Sequence, residues 1–229
     1  MLDLVLFVAF PYAAVILAVV VGVYRYFSDR FSYSSLSSQF LENRRLFWGS
    51  VPWHYGISLI LLAHLLAALF PGPWAALLGS PTRLYVLELT GMALALLTVV
   101  GAALFILRRL GNPRLRAVTS VADWALLVLL LAQVVLGLWV AFFYRWGGVW
   151  YLHTAAPWLA SLVRLRPQLE YVAVLPLVPQ LHILGGFVII ALAPFTRLVH
   201  VFTFPIIYLW RPYQVVIWNR RPQAVEETK

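Results

Sequence analysis

The chain contains no cysteine. It therefore carries no disulfide and no thiolate-ligated iron–sulfur cluster. A covalently attached c-type haem, which needs a C-x-x-C-H run, is excluded as well. Charge is scarce: charged residues make up 11% of the 229, against 63% hydrophobic residues, and only eight are Asp or Glu. The mean hydropathy is +0.88. A soluble domain of this length does not run so poor in charge, so the composition places the chain in the membrane class. The N-terminus also lacks the parts of a cleavable leader. Asp3 stands before the first apolar run, no basic stretch precedes it, and Arg25 follows it directly, which reads as a retained helix.

What is present is hydrophobic length. A bilayer core of about 30 Å takes about 20 apolar helical residues per crossing. Five segments qualify, at roughly 4–24, 50–70, 86–107, 122–144 and 180–204. Pro11 should bend the first or mark its first turn. The predicted fold is an all-α membrane protein whose five transmembrane helices form one bundle over 1–210, followed by a tail over 211–229. The aromatic stretch 145–179 joins segments 4 and 5, and within it Trp158–Arg164 has the makings of a short interfacial helix.

The cations are distributed unevenly. Arg25, Arg30, Arg44 and Arg45 separate segments 1 and 2; Arg108, Arg109, Arg114 and Arg116 separate 3 and 4; Arg211, Arg220, Arg221 and Lys229 lie in the tail. Arg83, Arg145, Arg164 and Arg166 fall on the opposite side. The positive-inside rule then predicts an outward N-terminus, a cytoplasmic C-terminus and a multi-pass protein of the cell (inner) membrane. The charge flanks helices instead of lining one face, so nucleic acid is not its partner. Trp48, Trp53, Trp74, Trp146 and Trp150 sit at segment ends, as interfacial aromatics do in any membrane protein.

Four of the five histidines fall in the apolar segments: His54 and His64 in the second, His182 and His200 in the fifth. Ionisable side chains in hydrocarbon are rare and mark function. The two segments run in opposite directions, so depth matches His54 with His200 and His64 with His182. Ten residues at 100° each turn His54 and His64 about 80° apart and separate them by about 15 Å. One flat macrocycle cannot take both, whereas two b-type haems, each between a pair, can. The spacing of eighteen on segment 5 would span about 27 Å in a straight helix, a mismatch that a bend at Pro194 would reduce. Gly56 and Gly185 let either a flat cofactor or another helix come close to the backbone. Arg197, one turn before His200, suits either a haem propionate or a lipid phosphate. Asp123 and Glu88 are the acids nearest segment interiors, and both stand near helix starts, where capping accounts for them. A metal-ion or proton path would recruit acids deeper in the membrane.

Three stretches, WHYGISLILLAHLLAALFPG, RRLGNPRLRAVTSVAD and LHILGGFVIIALAPFTRLVHVFTFPIIYLWRPYQ, resemble the gamma subunit of respiratory nitrate reductase. The resemblance covers nearly the whole chain and is weakest over 145–179. It implies two haem b groups, His54 and His200 holding a proximal one near the cytoplasm and His64 and His182 a distal one near the outer face. It implies quinol (menaquinol or ubiquinol) oxidation beside the distal haem, with electrons leaving to an iron–sulfur subunit and a molybdenum catalytic subunit on the cytoplasmic side. The family associates a lysine before the third helix with the quinol; Arg83 occupies that place here. A cytochrome b of another quinone-linked oxidoreductase (hydrogenase, formate dehydrogenase or heterodisulfide-type) would share the ligand pattern. A haem-free anchor or transporter would not need it.

Overall fold

The computed structural model describes residues 1–29, 32–33, 41 and 44–202, with the side chains of 44 and 45 left aside. Arg30 and the tail from Arg211 lie outside the described residues. Among the described residues there is no strand. The helices are α1 (Leu2–Ser28), α2 (Arg44–Leu69), α3 (Pro71–Leu78), α4 (Pro81–Leu110), α5 (Pro113–Ala117) and α6 (Val121–Phe143). They continue with α7 (Gly147–His153), α8 (Ala155–Val163), α9 (Glu170–Ala173) and α10 (Leu177–Leu192). Five of them, α1, α2, α4, α6 and α10, are long and apolar enough to cross a bilayer, in the order expected.

The five pack as a row. α2 lies on α4, α4 on α6, α6 on α10 and α10 on α1, while α2 and α10 share no extended packing. Small residues set the closest approach. Ala95, Thr98, Gly101 and Ala102 form the buried stripe of α4. A Cβ at position 101 would stand 2.6 Å from the Trp53 backbone nitrogen, and one at position 56 would collide with Thr98 Oγ1. Association in lipid depends on such packing, because the solvent is as apolar as the helices. This contact turns Trp53 and Gly56 inward and leaves His54, between them, on an exposed face.

Pro11 acts in the first turns of α1. Val5–Ala9 forms a π-turn. Residue 11 has no N–H to give the Phe7 carbonyl, the i−4 acceptor of an α-helix. That carbonyl accepts instead from Trp158 Nε1, at 3.2 Å. Trp158 is 1% exposed and meets Phe7 and Phe187 edge-on at 6.2 and 5.9 Å. Tyr12 Oη donates to the Leu162 carbonyl at 2.8 Å. The stretch expected to be an interfacial helix is thus a plug: α8 begins at Ala155 and buries Trp158, Ser161 and Leu162 in the end of the bundle. Composition alone could not separate the two, because an amphipathic helix has an apolar face in either setting.

The fifth crossing also departs from a continuous helix over 180–204. α10 ends at Leu192, ten residues past His182. Two 3-10 turns follow, Ala193–Phe195 and Arg197–Val201, separated by an extended Thr196. Pro194 lacks an N–H and its ring crowds the preceding turn, so the helix stops there. The carbonyls released find partners. Pro194 O accepts from Arg25 Nη1 at 2.6 Å, and Ala193 O accepts from Thr196 Oγ1 at 3.3 Å. Arg25 is held in turn by Ser32, its Nε donating to Oγ at 2.9 Å and Nη2 to the carbonyl at 2.6 Å.

Replacing Trp158 by Phe keeps the ring and removes the donor. The Phe7 carbonyl is then left buried without its partner, at a cost of about 1–3 kcal/mol. The thermal unfolding midpoint of the detergent-solubilised protein should fall, and an unchanged midpoint would remove this bond from the account of how the plug is held.

Candidate functional site: two paired-histidine levels

The break in the fifth crossing removes the length mismatch. His54 and His64 stand ten residues apart on α2, about 15 Å. From His182 to the end of α10 is the same ten residues, and the turns beyond it carry His200 back beside His54. The two rings face each other across the gap between α2 and the end of the fifth crossing, their centres 6.3 Å apart and their planes at 68°. An imidazole nitrogen holds a transition metal at about 2.0–2.1 Å, the value for zinc, and lies roughly 1 Å from its ring centre, so two imidazoles trans on one ion have centres about 6 Å apart.

The hydrogen bonds of the four rings follow one pattern. His54 Nδ1 lies 2.8 Å from the Ser50 carbonyl and His64 Nδ1 2.8 Å from the Ile60 carbonyl, each one turn back on α2. His182 Nδ1 lies 3.2 Å from the Gln133 carbonyl on α6. His200 Nδ1 lies 2.6 Å from the Arg197 carbonyl. A carbonyl can only accept, so Nδ1 carries the proton and the lone pair of a neutral ring is on Nε2. A histidine that binds metal through Nε2 needs this arrangement, because the bond at Nδ1 fixes both tautomer and ring orientation.

α6 supplies the seat of His182. Gln133 takes its ring on the backbone carbonyl and also donates from Nε2 to the His182 carbonyl at 2.8 Å. A Cβ at Gly137, one turn on, would stand 3.0 Å from His182 Cε1. Neither residue was among those singled out in the sequence. The usable signal was a lone amide in an apolar crossing with a glycine four residues later. Gly185 faces the Gln133 side chain, and a Cβ there would meet its Oε1. Gly56 faces α4. In both cases the opening beside the glycine is filled by a neighbouring helix.

The remaining candidates are placed as follows. Arg197 pairs with Asp123, Nε to Oδ1 at 2.7 Å and Nη2 to Oδ2 at 2.9 Å. Asp123 also closes a capping box with Ser120 at the start of α6. Arg83 donates to the Leu77 and Ala76 carbonyls at 2.7 and 3.1 Å, capping the last turn of α3. Glu88 accepts from the Gly148 N–H at 3.0 Å, where the left-handed Trp146 (φ 65°) starts α7. The same short helix brings the half-buried Tyr151 edge-on to His64, with ring centres 6.1 Å apart. Burial pushes the Tyr151 phenol up, so it stays protonated at neutral pH.

Residues 3–219 match the family model described as nitrate reductase gamma subunit. The chain belongs to that family. It is 33% identical over 216 residues to the nitrate reductase gamma chain of Bacillus subtilis, covering 92% of this chain and 95% of that one. It is 30% identical over 221 residues to the respiratory nitrate reductase 1 gamma chain of Escherichia coli, covering 94% and 97%. The nitrate reductase-like protein NarX of Mycobacterium tuberculosis is 32% identical over 227 residues, which are 94% of this chain and a third of that protein. The gamma subunit described here is thus a membrane component of an oxidoreductase complex.

Among the described residues no three His, Asp or Glu gather into a metal-binding group. His54 and His200, whose rings lie 6.3 Å apart, would suit a group that brings its other donors with it, as a haem does. In this gamma subunit, Gly137→Val pushes a branched side chain into the His182 ring. Should the four histidines hold two haems, one per chain would be lost and one kept, read from pyridine haemochrome absorbance against protein. Retention of both would mean that His182 does not depend on the space at 137.

Proposed function

We propose that this gamma subunit is the quinol-oxidising cytochrome b of a respiratory nitrate reductase. Two haem b groups would bind it, a proximal one between His54 and His200 and a distal one between His64 and His182. The reading is supported above all by the shared hydrogen-bond pattern of the four imidazoles, each Nδ1 on a carbonyl, together with the 6.3 Å separation of His54 and His200. The placement of the cations supports a proximal level at the cytoplasmic side. Bound there, the haems supply one-electron carriers spanning the bilayer, between quinol near the outer face and the iron–sulfur and molybdenum subunits at the inner face. Protons from the quinol would stay outside while electrons cross inward.

The chain's own part in this chemistry is axial ligation, burial and the fixing of imidazole basicity through Nδ1. Arg197 has five donors, so its pair with Asp123 is compatible with a propionate of the proximal haem. Arg83 is assigned to the quinol site. A guanidinium has five donors where an ammonium has three, so with Nε and Nη2 on the carbonyls of α3 the Arg83 Nη1 would donate to the quinone headgroup. Tyr151, packed on His64, closes the same end of the bundle.

Single replacements separate the two levels. His64→Ala or His182→Ala should leave one haem per chain and abolish quinol oxidation. His54→Ala or His200→Ala should also leave one haem, the distal one, and stop transfer to the nitrate-reducing partners. The reading is falsified if each variant keeps two haems, or if the wild-type protein shows no b-type band after dithionite reduction.

Arg83→Ala should weaken binding of a quinone analogue about tenfold or more, the cost of roughly one charged hydrogen bond. Haem content should be unchanged. Equal affinity in wild type and variant, from quenching of a fluorescent analogue, would take Arg83 out of the quinol site.

A further inference from the structure

We infer that Asp123 is a positioning residue for the proximal axial ligand, acting on His200 through Arg197. The inference rests on the di-haem reading above and adds to it a residue that touches neither iron nor haem ligand. Its basis is a difference in how the four rings are held. His54 and His64 bond to carbonyls of the long helix that carries them. His182 bonds to a carbonyl of α6. His200 alone bonds to a carbonyl of a 3-10 turn, that of Arg197. A single such turn, entered through the extended Thr196, lacks the continuous ladder that keeps an α-helical carbonyl in place.

The stiffness comes from outside the turn. Asp123 is 7% exposed and is itself fixed at the start of α6 by Ser120: its Oδ2 accepts the Ser120 N–H at 3.0 Å and its own N–H donates to Ser120 Oγ at 3.1 Å. Its two oxygens grip Arg197 at Nε and Nη2. A planar bidentate pair fixes direction as well as distance. The residue so held is the one whose carbonyl orients the His200 ring. On the other side, Arg25 holds the Pro194 carbonyl. Asp123 and Gln133 lie ten residues apart on α6, the interval that also separates His54 from His64. One helix thus anchors the fifth crossing at both haem levels, through Gln133 at one and through Asp123 and Arg197 at the other.

Asp123 also sets charge. It places a carboxylate against Arg197, whose carbonyl holds the His200 ring. Removing that charge while keeping the shape adds one net positive charge beside the proximal haem, which favours the reduced form.

The test is Asp123→Asn in the intact, membrane-extracted complex. The amide still accepts from the Ser120 N–H, so the cap of α6 survives. Both haems should be retained. In a potentiometric titration the proximal haem should become about tenfold more reduced at a fixed ambient potential, a positive shift of about 59 mV for one electron. Its low-spin ferric resonance should broaden, and the distal haem should keep its wild-type potential and spectrum. Asp123→Glu restores the charge one methylene further out and should bring the proximal potential part of the way back. If Asp123→Asn does not accumulate, Asp123→Glu alone carries the test through a smaller shift confined to the proximal haem. An unaltered proximal haem overturns the inference, as does an equal change or loss of both haems, which marks a structural role only. A wild-type complex without haem defeats the functional reading itself, and that result is read before any variant is compared.

Discussion

A bilayer offers no water to satisfy a polar group, so every imidazole carried into it must find its hydrogen-bond partner on the protein. Here each partner is a backbone carbonyl, and each is met through Nδ1. That one constraint decides the chemistry of the site. It fixes the tautomer, turns Nε2 away from the supporting backbone, and leaves four lone pairs at two depths. The rest of the architecture arranges the carbonyls: straight helix for α2, a neighbouring helix for His182, a tethered turn for His200.

Two prolines do comparable work at opposite ends of the fold. Each releases a carbonyl by withholding an N–H or by ending a helix, and each released carbonyl is taken by a long side chain from elsewhere. Pro11 leaves the Phe7 carbonyl to Trp158, which seats the 145–179 stretch in the bundle. At Pro194 the helix ends and the carbonyl goes to Arg25, which ties α1 to the segment carrying His200. A helix defect in lipid persists where another part of the chain completes it, so these defects are also the points where distant segments are joined.

The five crossings and the four histidines were legible in the sequence because they rest on local rules: apolar length for the crossings, rarity of ionisable groups for the histidines. The pairing of His54 with His200 followed from depth alone, and the rings do lie together. What was not legible depends on which helix faces which. Gly56 and Gly185 were open to a cofactor or a helix, and only the packing order places α4 over one and Gln133 over the other. Trp158 reads as interfacial by composition and is buried by its neighbours. The end of α10 at Leu192 was foreshadowed by Pro194, but a proline gives the place of a break and not the path of the chain beyond it.

The acids bear on the choice between an electron carrier and a transporter. Asp123 and Glu88 are the acids nearest the segment interiors, and both are committed to structure: Asp123 to a capping box and Arg197, Glu88 to the first turn of α7. A proton path through the membrane needs groups that gain and lose a proton in turn. Both oxygens of Asp123 are already engaged by Arg197. The four imidazoles have Nδ1 already bound, which makes them fixed donors of a lone pair. Fixed lone pairs suit a group that stays in place while electrons pass, which is the function proposed for this subunit.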